Sequence, residues 1–371
     1  MILFWVGLGA MALAFAISLM ATKLSQRVAV RLGMMDLPQR HKAHTRPTPL
    51  LGGSAILAAI LGPSLLVLSV ARVWMTTEIP AWVPASMIPY IGGVALKAPE
   101  AMVILAGAFA MHVVGLIDDR KNLGPWMKLI AQFIIATLVV VFCDDVRIMG
   151  AVGPTWSYGL SVIWLVAITN SFNFLDNMDG LSAGVAAICA AALLGASASI
   201  GQVFVSAWLC LLLGALAGFL PYNFPPASTF MGDAGSLVIG YMLAVLTCLT
   251  TYVPDGEMMS AYEILVPVVL MAVPLYDMLS VITIRIRTGR NPLVGDRRHF
   301  SHRLLRRGMS VRAALLTIWL CTAGTAIAAS LLPRVKDTAG AVLVFAQTIA
   351  ILMIIALLES GDAKPGSNGG S

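Results

Sequence analysis

The sequence predicts an all-α polytopic membrane protein, on the evidence of its composition and hydropathy. Of 371 residues, 59% are hydrophobic and only 11% are charged, and the mean hydropathy is +0.89. Soluble domains carry charge on about a quarter of their residues, so this chain has too few charges to cover a water-facing surface. Apolar stretches of about 20 residues recur along it and match the thickness of a hydrocarbon core. These observations exclude an ordinary soluble protein.

About eleven apolar windows are candidate transmembrane helices. They cover residues 2–22, 50–72, 100–117, 126–143, 159–172, 181–200, 203–220, 236–253, 262–284, 312–332 and 340–358. The fifth window is short for a span, and a re-entrant segment there would invert the topology of everything after it. The segment from Met75 to Lys97 is rich in Pro and Trp, so we expect an ordered external loop. We assign residues 1–358 to a single integral-membrane domain and residues 359–371 to a disordered polar tail.

Basic residues predict the orientation of the chain. With a periplasmic N-terminus and a cytoplasmic C-terminus, the cytoplasmic loops and tail hold every lysine and arginine except Arg72, Lys97, Arg147, Arg334 and Lys336. An excess of positive charge is typical of cytoplasmic loops. We therefore expect a multi-pass protein of the bacterial inner membrane.

Polar residues concentrate at the predicted cytoplasmic ends of the spans. Carboxylates at a membrane edge are costly unless they are paired, solvated or metal-bound, so such a cluster indicates a functional site. Asp118 and Asp119 end the third span, where their repulsion raises one pKa or attracts a cation. A solvated helix end that pairs with Arg120 and Lys121 explains this motif, taken alone, equally well.

The segment 170–181 carries three amides and two carboxylates. Asn170, Asn173 and Asn177 share one helical face, and Asp176 and Asp179 are paired at i, i+3. Such a strip supplies oxygen ligands for a hard cation and amide donors for a phosphate or a nucleotide. A purely structural role leaves five polar side chains in a membrane segment unexplained.

Asp233 lies between two glycines immediately before the eighth span. One explanation is that it caps the free N–H groups of that helix. The alternative is that it binds Mg²⁺ while the positive end of the helix attracts a diphosphate.

Two basic loops complete the polar set. The loop 296–303 places His299 and His302 three residues apart beside arginines, which suits phosphate recognition, although part of its charge also suits anionic lipid headgroups. In the turn 42–53, Lys42 and His44 could contact a phosphate, and an ordinary basic loop is the alternative. Inside the spans, we expect Asp277 to pair with an arginine of the adjacent loop.

These motifs occur in the order seen in polyprenyl-phosphate N-acetylhexosamine-1-phosphate transferases, which the chain resembles from about residue 23 to 310. The matching segments are 42–53, 115–119, 170–181, 230–236 and 299–302. The resemblance implies transfer of a sugar-1-phosphate from a UDP-N-acetylhexosamine to a polyprenyl phosphate, with Mg²⁺, or Mn²⁺ in its place, and release of UMP. The loop 296–305 is most similar to the branch that uses UDP-N-acetylglucosamine and undecaprenyl phosphate for O-antigen, enterobacterial common antigen or teichoic-acid linkage units. One departure is Ser301, where the family has a histidine.

The resemblance also implies roles for individual residues. The catalytic candidates are Asp118, Asp119, Asp176 and Asp179. The metal-binding candidates are Asp233, Asp176 and Asp179. The substrate-binding candidates are Lys42, His44, Asn170, Asn173, Asn177, Arg297, Arg298, His299, His302 and Arg303. Direct displacement by the lipid phosphate needs fewer assumptions than a covalent aspartyl intermediate, because a phosphate dianion is already a competent nucleophile.

Three alternative functions agree less well with the sequence. Within the family, a phospho-N-acetylmuramoyl-pentapeptide transferase has a differently flanked last loop. A transporter would place ionisable groups near the bilayer midplane, whereas the acidic residues here lie at one predicted face. A CDP-alcohol phosphotransferase requires an arginine soon after Asp179-Gly180, and none follows. We expect membrane lipids as neighbours and no nucleic-acid partner, and a homodimer is compatible with the sequence.

Overall fold

The computed structural model describes residues 1–36, 47–148, 154–252, 263–292, 298–335 and 337–360. The described chain is helical apart from two short antiparallel strands, β1 (Met35–Asp36) and β2 (Thr48–Pro49). The helices are α1 (Ile2–Leu32), α2 (Gly52–Thr76), α3 (Ile88–Leu96), α4 (Ala98–Lys121), α5 (Pro125–Phe142), α6 (Pro154–Leu175), α7 (Leu181–Ser199), α8 (Val203–Asn223), α9 (Gly232–Leu249), α10 (Val266–Leu270), α11 (Ala272–Arg287), α12 (Phe300–Arg306), α13 (Val311–Leu331) and α14 (Thr338–Ser360). The all-α prediction is confirmed.

Ten of the described helices are long and apolar enough to cross a membrane, and they coincide with ten of the eleven predicted windows. The fifth window, which looked short, is a full helix, α6. The predicted external loop holds a 3-10 turn at Ala85–Met87 and then α3, neither of which has a buried side chain. Helix α14 extends through Ser360, two residues past the predicted domain boundary, and residues 361–371 lie outside the described residues.

The ninth predicted span is wrong as a continuous helix. It is divided at Met271 into the short α10 and the longer α11. Pro274 is the physical reason, because a proline has no N–H for the carbonyl four residues earlier and its ring clashes with that carbonyl. The carbonyl in question belongs to Leu270, and the thiol of Cys189 contacts it at 3.6 Å. The description of eleven continuous spans is therefore corrected to ten spans and one broken segment.

Helix α9 lies at the centre of the bundle, where α2, α4, α6 and α7 pack against it. Every residue from Ala234 to Thr247 is buried. The Tyr241 hydroxyl donates to the carbonyl of Ile104 at 3.1 Å, and a Cβ on Gly115 would collide with the backbone of Ala234. Small residues at such crossings let helix backbones approach closely. The close approach holds the end of α4 against the start of α9.

The loop before α9 is attached to the start of α2. The N–H of Phe230 donates to the carbonyl of Pro49 at 2.9 Å, and the N–H groups of Gly52 and Gly53 donate to Phe230 and Met231 at 3.0 Å. These bonds join the end of the predicted 42–53 motif to the predicted 230–236 motif. Motifs that are far apart in sequence therefore meet at one end of the bundle.

Candidate active site

The site is built around the first turn of α9, which Asp119 caps from another helix. The two carboxylate oxygens of Asp119 accept the N–H groups of Asp233 and Ala234 at 2.9 and 3.1 Å. Gly232 has φ 65°, and a side chain there would collide with the Asp119 carboxylate. The cap on α9 is thus Asp119, and the Asp233 side chain remains available for other contacts.

Lys128, in the first turn of α5, pairs with the carboxylates of Asp118 and Asp233. Its ammonium contacts Asp233 Oδ2, Asp118 Oδ2 at 3.1 Å and Asn173 Oδ1 at 2.9 Å. Only 13% of the Lys128 side chain is exposed. The sequence does not single out Lys128 as a site residue, because a lysine at a cytoplasmic helix end also satisfies the positive-inside rule. Its position inside an apolar window was the available signal, since a lysine there is costly unless it is paired.

The three predicted amides contact different partners. Asn173 donates to Asp233 Oδ1 and to Ser236 Oγ, both at 2.9 Å. Together with Asp118, Lys128 and Asp233 it forms one cluster of contacting side chains, the Lys128 cluster. Asn170, one turn deeper, donates to Gln132 and to the carbonyl of Val166. Of the amides on this helical face, Asn173 therefore contacts the cluster, whereas Asn170 contacts neighbouring packing residues.

Asn177 lies beyond the end of α6 and contacts the histidine loop. Its amide donates to the carbonyl of Phe174 at 2.7 Å, and its oxygen accepts the hydroxyl of Ser301 at 2.5 Å. Ser301, which stands where the family has a histidine, therefore joins α12 to the 170–181 segment.

Asp176 and Asp179 lie in the turn after α6 rather than on the helix. Asp179 Oδ2 accepts the N–H of Ala227 at 2.8 Å and so attaches the loop that precedes α9. Burial, followed by the negative charge of Asp233, raises the pKa of the Asp176 carboxyl well above its usual range. The charge of Asp233 therefore acts on Asp176 as well as on its direct partners.

The predicted basic residues are dispersed. Arg303 donates to Ser280 Oγ at 3.0 Å and pairs with Glu359 of α14 at 2.9 Å. Arg298 donates to Thr288 Oγ1. His299 is the N-cap residue of α12 and His302 lies within that helix. Lys42, His44 and Arg297 lie outside the described residues.

Two polar residues inside the helices have structural partners. His112 contacts Ser54 Oγ at 3.1 Å and the carbonyl of Ala234 at 2.9 Å, as expected of a hydrogen-bonded packing residue. Asp277, predicted to pair with an arginine, instead contacts the imidazole of His299. Neither residue forms part of the Lys128 cluster.

The cluster suits a divalent cation that takes few protein ligands. In the described ranges, no group of three His, Cys, Asp or Glu side chains forms a ready-made metal site. Mg²⁺ commonly uses one or two carboxylates together with phosphate oxygens of a substrate. Asp118 Oδ1 is buried and accepts no hydrogen bond from any described residue, and the Lys128 ammonium already bridges Asp118 and Asp233. The donor set therefore fits a cation that binds together with a diphosphate.

Comparison with known proteins agrees with the motifs. Residues 101–251 match glycosyl transferase family 4. The chain is 31% identical to a decaprenyl-phosphate N-acetylglucosaminephosphotransferase of Mycobacterium tuberculosis, over 94% of this chain and 88% of the relative. Its identity to the enzyme of the same name from Mycolicibacterium smegmatis is 32%, over 83% and 77%.

A more distant relative comes from Escherichia coli. It is an undecaprenyl-phosphate α-N-acetylglucosaminyl 1-phosphate transferase, 25% identical over 81% of this chain and 76% of the relative. These relatives are matched across most of their length, and the family match spans the residues from α4 to α9 that build the cluster. The chain therefore belongs to glycosyl transferase family 4 and is a sugar-1-phosphate transferase of the polyprenyl-phosphate N-acetylglucosamine-1-phosphate transferase family.

Proposed function

We propose that this enzyme transfers N-acetylglucosamine-1-phosphate from UDP-N-acetylglucosamine to undecaprenyl phosphate and releases UMP. An oxygen of the lipid phosphate forms a bond to the sugar-bearing phosphorus, and the bond from that phosphorus to the bridging oxygen breaks, so that UMP leaves with the electron pair. The observation that supports this proposal is the cluster of Asp118, Lys128, Asn173 and Asp233 at the first turn of α9.

The cluster supplies what phosphoryl transfer requires. Such reactions need little covalent help from a protein, and positioning with charge neutralisation supplies most of the catalysis. Lys128 offers an ammonium group in a partly buried setting, where a charge interacts more strongly than it does in water. The first amides of α9 are taken by Asp119, so the helix end is not free to attract the diphosphate. Lys128 would offset the charge of Asp118 and Asp233, and a cation held by these carboxylates would attract the diphosphate.

In this proposal Asp233 and the unbonded oxygen of Asp118 would hold Mg²⁺, with Asp176 and Asp179 as further candidates from the adjoining turn. When bound, Mg²⁺ neutralises charge on the diphosphate and favours departure of UMP. Asn173 orients Asp233 through its amide, and Lys128 keeps the two carboxylates from separating under their mutual repulsion.

Of the two adjacent carboxylates, Asp118 is the better candidate for contact with the metal and, through the metal, with the lipid phosphate. One of its oxygens accepts no hydrogen bond from the described residues, whereas both oxygens of Asp119 cap α9. We therefore assign Asp119 to holding Asp233 in place. Direct displacement remains the simpler mechanism. The phosphate of the lipid substrate is itself the nucleophile, so no carboxylate of the protein has to attack.

We place the enzyme in the bacterial inner membrane with this site facing the cytoplasm, where UDP-sugars are made. The concentration of lysine and arginine in the loops at this end supports the orientation. The reaction would be the first membrane step in assembly of a cell-envelope polysaccharide.

The direct test uses the purified full chain in detergent with undecaprenyl phosphate, MgCl₂ or MnCl₂, and a panel of UDP-sugars. We expect UMP release and a lipid-linked product with UDP-N-acetylglucosamine, and loss of both with EDTA. Activity only with UDP-N-acetylmuramoyl-pentapeptide would assign the alternative branch of the family. Substrate uptake by proteoliposomes without UMP release would support a transporter instead.

A further inference from the structure

Asp277 is a fully buried carboxylate in α11 that the proposed chemistry does not yet use. Its Oδ2 lies 2.8 Å from Nδ1 of His299, and its Oδ1 accepts the N–H of Phe300 at 3.0 Å. The two oxygens therefore have different tasks. One contacts the imidazole ring, and the other caps the first turn of α12, whose N-cap residue is His299 itself.

The imidazole is also enclosed by an aromatic ring. Phe174 packs edge-on against His299 with ring centroids 5.7 Å apart. The guanidinium of Arg285 lies over the ring of Phe174, 5.3 Å from its centroid. Arg285 also donates to the carbonyl of Pro292 at 2.8 Å. His299 is only 5% exposed. The ring is therefore held in one orientation by groups on α6 and α11.

This orientation determines which nitrogen can contact a substrate. A carboxylate is an acceptor only, so Nδ1 of His299 carries the proton that is donated to Asp277, an assignment that follows from the partner. Nε2, on the opposite edge of the ring, has no hydrogen-bond partner among the described residues.

His299 and its helix also contact the segment that carries Asn173. Phe174 directly follows Asn173, whose amide holds Asp233, and Ser301 of α12 donates to Asn177 of the same segment. Helix α12 is thus attached on one side to the segment that builds the cluster and on the other side to Asp277. The ring of His299 therefore packs against the residue that directly follows Asn173.

We infer that Asp277 is a positioning residue that fixes the ring and tautomer of His299, so that the lone pair of Nε2 accepts a hydrogen bond from a hydroxyl group of the bound UDP-sugar. This inference rests on the proposed function. A carboxylate that orients an imidazole through Nδ1 is an established device of enzyme active sites. The competing explanation is that Asp277 serves only as a cap for α12 through Phe300.

A double-mutant cycle separates the two explanations. Asp277→Asn keeps an oxygen for the N–H of Phe300 but turns an amide donor toward Nδ1, which favours the wrong tautomer. We expect kcat/KM to fall about 10- to 100-fold, the usual cost of losing such an orienting partner. In a His299→Ala background the same change should cost less than about twofold, because Asp277 would act through a ring that is no longer present.

Asp145→Asn is the matched control, since this carboxylate pairs with Lys97 at the opposite end of α4 and should leave turnover unchanged. Equal losses from Asp277→Asn with and without His299 would overturn the inference. If Asp277→Asn fails to fold, Asp277→Glu, which keeps the charge but displaces the ring, enters the same cycle with the same expectation. An inactive wild-type enzyme would instead refute the proposed function, so the two failures are distinguishable.

Discussion

At the scale of single residues, the two adjacent carboxylates of α4 separate into different tasks. Asp119 makes two hydrogen bonds to the first turn of α9, whereas Asp118 contacts Lys128 and retains an unbonded oxygen. Adjacent positions on a helix point about 100° apart, so one residue reaches a neighbouring helix while the next faces the cluster.

Asp119→Asn should therefore impair both stability and activity. The new amide would direct an N–H group at the N–H of Asp233 or Ala234, and loss of a helix cap costs about 1–2 kcal/mol. We expect a lower melting temperature in detergent and reduced UMP release. Asp233→Asn, which leaves the cap intact, should lose activity by about 100-fold or more with little change in melting temperature. Equal melting temperatures for Asp119→Asn and the wild type would contradict the capping role.

Lys128 is the second residue whose role can be tested alone. Lys128→Gln removes the charge that pairs Asp118 with Asp233, and breaking a buried ion pair leaves an uncompensated carboxylate. We expect UMP release to fall by about 100-fold. Arg147→Gln is a control, because Arg147 pairs with Asp144 outside the cluster and should keep normal turnover. A Lys128→Gln enzyme with near-normal kcat would remove this residue from the proposed site.

The sequence could indicate the carboxylates but not their division of labour. Asp118, Asp119 and Asp233 were identified because charge at a membrane edge is costly. The cap by Asp119 joins residues 114 positions apart, and no local pattern encodes such a contact. Lys128 was overlooked for a related reason, since a lysine near a helix end also satisfies the positive-inside rule.

At the scale of helices, hydropathy predicted the ten continuous spans because burial in lipid demands long apolar runs. The break at Met271 was not predicted, since the residues around Pro274 remain apolar and a window average ignores a missing N–H group. The break matters for the site because α11 begins directly after it and carries Asp277.

The crossing of α4 and α9 gives a prediction at this scale. Gly115→Ala would place a methyl group against the backbone of Ala234, and such overpacking costs about 1–3 kcal/mol. We expect a lower melting temperature and a loss of UMP release, because Asp119 would move with α4. Gly195→Ala in α7 is the matched control, since a Cβ there meets no atom within 4 Å. Loss of stability in both variants would argue against a specific effect at the crossing.

At the scale of the whole molecule, the described parts of five polar segments, spread over most of the chain, converge at one end of the bundle. The N–H of Gly180 donates to Asn223 Oδ1, and the Asn223 amide donates to the carbonyl of Thr229, at 3.0 Å each. These bonds join the turn after α6 to the loop before α9. Asp179 makes a second connection to that loop. Motif order along the sequence could suggest this convergence, whereas the contacts depend on the packing of α9 among its neighbours.

The orientation of the whole bundle provides the last prediction. The loops at the end that holds the cluster carry most of the positive charge, so this end should face the cytoplasm. In intact cells, a membrane-impermeant maleimide should label Glu78→Cys, beyond the end of α2, and should not label Lys121→Cys at the end of α4 until the membrane is opened. The five native cysteines are buried or partly buried, and the unmodified chain measures their background labelling. The reverse pattern would place the cluster outside, away from cytoplasmic UDP-sugars, and would contradict the proposed reaction.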